Sequence, residues 1–179
     1  MHNMTRTLMA VLLLTSSSVT LAQSGTPSGT TPTPDPVRVQ LASLLVGRDA
    51  RGAETFTATG DSVRPRPGDL LLWRAAAVND LPRAVQNLAL TVPFPATTTY
   101  VNGSAVLRVG TRTLTPLFST DGSTFAPAPL KKKVSVTRDG VTTVQEVTVQ
   151  PNEYRAVRWM LPTLDAKSQV AAEVRTTVR

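Results

Sequence analysis

Turn-forming residues punctuate this chain so often that no long helix can be drawn through it. Pro67-Gly68-Asp69, Asn79-Asp80, Pro93 with Pro95, Asn102-Gly103, Asp121-Gly122 and Asp139-Gly140 separate short runs rich in Val, Leu, Thr and Ala. Proline fixes φ, glycine accepts positive φ, and Asn and Asp fold their side chains onto the following backbone, so each cluster ends whatever precedes it. The turn signals recur every eight to twelve residues or so, which is the spacing of an all-β sandwich. The pattern is clearest between Arg64 and Pro95. There Leu71, Trp73, Ala75 and Ala77 fall on one face of a strand by the period of two, and Leu88, Leu90 and Val92 on one face of the next. Leu70 and Leu72 point the other way. They are core if that face is covered and an apolar interface patch if it is open.

The remaining runs read the same way. Val37–Val46 alternates and then becomes solidly apolar, which predicts a first strand partly buried on both faces. Glu54–Ala58, Thr97–Val101, Ser104–Val109 and Arg112–Phe118 predict short strands. Leu130–Val149 predicts a hairpin about Asp139-Gly140, with a bulge or loose register because the valines past the turn do not alternate cleanly. Tyr154–Leu161 is a strand that Pro162 should end. Val170, Ala172, Val174, Thr176 and Val178 alternate with polar or small residues to the last position, the cleanest half-buried strand in the chain. An antiparallel β-sandwich of about seven to nine strands follows. Aromatic residues are only 4% of the chain, so Val, Leu and Ala must carry the core.

Residues 1–22 read as a secretory signal peptide. Arg6 precedes the apolar run Leu8–Leu14, and Thr20-Leu21-Ala22 offers small residues for cleavage before Gln23. The run is far short of the ~20 apolar residues that a membrane-spanning helix needs, so the chain is not expected to span a bilayer. Residues 23–36 hold Ser, Gly, Thr and Pro with no large apolar side chain, the composition of a disordered or polyproline-like tether. The domain is then 37–179. Export to the periplasm or cell surface of a bacterium is the expectation.

The chain lacks cysteine, and its one histidine is His2, inside the leader. An exported domain without imidazole or thiol lacks the usual general base, the usual nucleophile pair and the usual zinc or copper ligands. The only glutamates are Glu54, Glu146, Glu153 and Glu173, and no spacing among them suggests paired carboxylates at one site. Asp61, Asp69, Asp80 and Asp121 sit at turns and read as turn formers rather than as calcium ligands. No catalytic residue, cofactor or metal is therefore assigned. Formal charge is +7, but the basic residues are scattered apart from Lys131-Lys132-Lys133, and no aromatic residues interleave them. Nucleic acid is not an expected partner. The lysine triplet serves either as a charged strand edge that discourages aggregation or as a contact for an acidic partner.

Several short motifs, in order, resemble the bacterial conserved surface-repeat domain, also called domain of unknown function eleven. They are Arg66-Pro67-Gly68-Asp69 with Trp73 and Asn79, Asn87–Thr91 with Phe94-Pro95, Tyr100–Ser104, Phe118–Gly122, and Tyr154 ahead of Arg158-Trp159. The family often has Tyr where Trp73 stands and an acidic residue near Val92. Many members are long arrays. The resemblance implies an Ig-like fold in secreted and cell-envelope proteins, and it carries over no catalytic residues. The expected function is a non-catalytic envelope module docking to a larger envelope or surface-layer protein assembly, with Leu70, Leu72 and Lys131–Lys133 as candidate interface residues. The alternative is an adhesion or glycan-binding module using exposed aromatics such as Tyr100 or Tyr154.

Overall fold

The computed structural model describes residues 37–179; the expected leader and tether lie outside the described residues. In chain order the strands are β1 (Val37–Arg48), β2 (Glu54–Ala58), β3 (Leu70–Asn79), β4 (Val85–Pro93), β5 (Thr98–Tyr100), β6 (Val106–Val109) and β7 (Arg112–Thr113). They continue as β8 (Leu117–Ser119), β9 (Ala126–Pro127), β10 (Lys131–Arg138), β11 (Val141–Thr148), β12 (Ala156–Leu164) and β13 (Gln169–Val178). One 3₁₀ turn, Pro151–Glu153, is the sole helical element among the described residues.

The wider sheet has the order β2-β1-β3-β13-β6-β7, with β5 also on β13. The narrower one is β4-β12-β8-β9, and β10-β11 forms a separate ribbon. Every pairing is antiparallel, so the fold is an all-β antiparallel sandwich.

The period-two reading of β3, β4, β12 and β13 places their core faces correctly. Ala75, Ala77, Ala172 and Val174 of the wide sheet share one buried cluster with Leu90, Val92, Val157, Trp159 and Leu161 of the narrow sheet. Alanines on one side leave inter-sheet volume to the large side chains on the other, which is how a core fills at native density. Trp73 donates its indole N–H to Thr176 Oγ1 at 2.8 Å, and Thr176 is fully buried. At one end Phe94, Tyr100, Phe118 and Tyr154 stack, with neighbouring ring centroids between 4.9 and 5.9 Å apart.

Three expectations change. Strand β12 runs through Pro162 rather than stopping before it. Phe94 N–H bonds Arg155 O, so the odd-numbered residues of β12 face β4. The nitrogen of Pro162 therefore turns toward the side where β8 reaches only as far as Arg158, and no ladder bond is lost. The β10-β11 ribbon has no bulge. Its register is one-to-one from Lys131↔Thr148 to Arg138↔Val141, closed by Asp139 and Gly140 at φ 51° and 79°. Positive φ at both central residues matches the strand twist, and that turn fixes the register despite the irregular valines. Lastly, β1 is partly buried on both faces only over Ser43–Val46. Val39 and Leu41 are 55% and 46% exposed although they share a face with the core residues Ala77 and Ala75. The wide sheet extends past the narrow one there, so this part of the core face has nothing above it.

Candidate docking surfaces

The outer face of the wide sheet carries the first pair of candidate residues. Leu72 stands beside Leu44 on β1 and Arg175 on β13 in the register. Arg175 donates to both carboxylate oxygens of Glu54 on β2, at 2.8 and 2.7 Å, with β3 and β1 between them. Leu72 is only 3% exposed. Leu70 is half-buried. Of the two alternatives the sequence left for this face, Leu72 takes the covered one, and the Arg175–Glu54 pair belongs to a lattice of charges on the same sheet. That lattice also includes Arg74 with Glu173 at 2.7 Å and Arg38 with Asp80 at 2.6 Å. The Arg175 guanidinium holds the Glu54 carboxyl below its ordinary range.

The lysine triplet begins the ribbon. Lys131 pairs with Glu146 at 2.9 Å and Lys132 with Glu153. Hydrogen bonds from the Lys132 ammonium and then the Gln150 N–H hold the Glu153 carboxyl low. Lys133 has no ion-pair partner among the described residues. Two of the three charges are thus answered within the molecule. The ribbon pairs with neither sheet, and beyond its base at Leu130 and Val149 its residues are exposed or half-buried. Val141 and Val144 are 63% and 65% exposed. The sequence shows these valines, but only the uninterrupted register shows that they have no body of the fold to pack on.

Several other titratable groups are tied into turns and pairs. All four glutamates bond a basic side chain, each on a different partner: Glu54 on Arg175, Glu146 on Lys131, Glu153 on Lys132 and Glu173 on Arg74. Asp121 accepts from the Thr124 and Ser123 N–H groups, each at 2.8 Å, and from the Ser119 hydroxyl, which holds its carboxyl far below the ordinary range. Asp69 accepts from Arg66 N–H at 2.7 Å, closing the turn before β3. Among the described residues no three His, Cys, Asp or Glu side chains gather as a metal site.

The aromatic residues considered for sugar stacking are not at the surface. Tyr100 and Tyr154 are 4% and 3% exposed inside the aromatic stack. Phe125, nearer the surface, is covered by the Arg158 guanidinium 3.8 Å from its ring centroid. No described helix is long and apolar enough to cross a membrane. Comparison with family models, curated proteins and solved structures finds no match to this chain.

Proposed function

We propose that the chain is a non-catalytic, exported module of the bacterial envelope that docks to a larger envelope or surface-layer protein assembly. The observation that carries this reading is the β10-β11 ribbon. A two-stranded ribbon that buries little is marginal by itself in water. Here eight residue pairs stand apart from both sheets, with Val141 and Val144 exposed. An arm of that kind gains from a partner that covers its valines and extends its edges. The motif likeness to the surface-repeat domain and the leader-like first 22 residues support the cellular setting. All four glutamates are committed to ion pairs, and Asp69 and Asp121 to turns, which favours a recognition role.

Capture from isolated bacterial envelopes tests the reading. The immobilised chain should retain one protein in stoichiometric amount, and the double substitution Val141→Lys, Val144→Lys should abolish retention without changing the unfolding temperature. Retention of protein-free polysaccharide instead would favour the glycan reading. Capture indifferent to the ribbon would refute the role given to this arm.

A further inference from the structure

Among the described residues the wide sheet has a strand slot that no segment fills. On one side β1 pairs with β3 along Val37–Leu45, but on the other β2 covers only Leu44–Arg48. The bonds Thr59 N–H to Ser43 O and Asp49 N–H to Ala53 O show that odd-numbered residues of β1 direct their main chain toward β2. The N–H and C=O groups of Val37, Val39 and Leu41 therefore point outward from the sheet, beside the exposed Val39 and Leu41 side chains. Several other strand edges are blunted, β2 and β11 excepted. On β4, Asn87 takes φ 55° and Pro93 has no N–H; β7 is two residues long; β9 holds Pro127; and β10 opens with three lysines.

We propose that this slot is filled by the same segment of a second copy of the chain, antiparallel about a two-fold axis at Val39. Three features select this occupant and register. With Val39 opposite Val39, Val37 faces Leu41 of the other copy, so the three apolar residues meet only apolar residues. Arg38 then faces Gln40 rather than another arginine, and each Arg38 is already paired with its own Asp80. A register centred on Leu41 would instead drive the second strand into Thr59, which occupies the position opposite Ser43. In the Val39 register Val37 of the second strand faces Leu41, just short of that position. The segment preceding Val37 is a poor occupant of its own slot, because Pro27, Pro32 and Pro34 interrupt its donors and it has no large apolar side chain.

The join forms about six main-chain hydrogen bonds in three closely spaced pairs. It buries well under the ~800 Å² per partner of a standard stable interface, so the dimer is weak in solution, with Kd on the order of 0.1–1 mM. Molecules crowded on a surface would populate it far more fully.

Sedimentation equilibrium on the full-length chain, expressed with its own leader and loaded up to about 1 mM, should show monomer and dimer. Val39→Lys places like charges against each other on the axis and should raise Kd at least about tenfold, with the unfolding temperature unchanged. Residues directly opposite in a hydrogen-bonded pair have Cα atoms ~5.5 Å apart, within disulfide range. The chain has no cysteine of its own, so oxidised Val39→Cys should run as a covalent dimer and Val37→Cys should not. A chain that is monomeric throughout, a dimer whose Kd ignores Val39→Lys, or equal cross-linking at positions 37 and 39 would each overturn the proposal.

Discussion

Asn79 is the residue whose loss should cost this fold most for its size. It ends β3, is fully buried, and holds two connections at one end of the sandwich. Its two Nδ2 hydrogens are shared among the carbonyl oxygens of Arg83 (2.9 Å), Leu164 (3.1 Å) and Asp165 (2.8 Å), and its Oδ1 accepts from Leu81 N–H (3.0 Å). Asn79→Ala removes all four contacts and leaves a small void. The bond to Leu164 O is the most deeply buried, and an acceptor orphaned there costs about 1–3 kcal/mol. The other three groups are partly buried and recover some hydration, so about 0.5–1 kcal/mol each is appropriate. The sum is about 2.5–6 kcal/mol, which for a domain near 150 residues lowers the melting temperature by roughly 5–20 °C. Calorimetry, or urea unfolding at constant m, reads this directly. Asn79→Asp sharpens the test, because it keeps the shape but aims a carboxylate at three carbonyl oxygens. The folded-state pKa of that carboxyl must rise above its unfolded value near 3.9. The folded form then binds the proton more tightly, so the variant's deficit relative to the native chain shrinks as pH falls from 7 toward 4. The deficit of Asn79→Ala should not change over that range. A melting-temperature loss under about 3 °C for Asn79→Ala, or an Asn79→Asp deficit independent of pH, would refute the clamp.

Three further outcomes follow from the same geometry. Glu54, Glu153 and Asp121 have carboxyls held low by Arg175, by Lys132, and by the Thr124 and Ser123 N–H groups respectively. The unfolded chain therefore binds more protons between about pH 2 and 4.5, and thermal stability should rise with pH through that window and fall on acidification. Arg175→Gln should make the acid loss shallower in the same melting series. Trp73→Phe and Thr176→Val should show a coupling of about 1 kcal/mol in a double-mutant cycle measured by urea unfolding, since each removes one end of a single 2.8 Å bond. The ribbon substitutions Val141→Lys and Val144→Lys lie on side chains more than 60% exposed, so circular dichroism should show melting within about 1–2 °C of the native chain while envelope capture is lost.

Local pattern carried the fold class because the elements that make the core are locally written. The alternation at Val170–Val178 and the pairs Leu71/Trp73 and Leu88/Leu90 each state which face is inward, and Asp139-Gly140 states where the ribbon turns. Pro162 misled because a proline stops a strand only if its nitrogen faces a neighbour, and which side it faces depends on pairing with β4 and β8. Tyr100 and Tyr154 misled for a related reason. An amphipathic ring after a turn reads equally as surface or core, and here Phe94 and Phe118, distant in sequence, close over both.

The surfaces were harder to read because exposure depends on what lies opposite. Leu72 and Leu41 are both leucines in alternating runs, and their sequence surroundings would rank Leu72 as the more open, since the facing residue Trp73 claims the core. The structure reverses the order, with Leu72 at 3% and Leu41 at 46% exposure. Leu72 is buried on a sheet whose Arg175 reaches Glu54, a contact 121 residues apart in the chain. Leu41 is bare because the wide sheet continues past the edge strand β4 of the narrow one, a mismatch of strand number that no single segment encodes. A docking surface in a sandwich is thus set by differences between its two sheets. That is why Val39 and Leu41 on β1 and Val141 and Val144 on the ribbon stand uncovered, where the described chain supplies no facing layer.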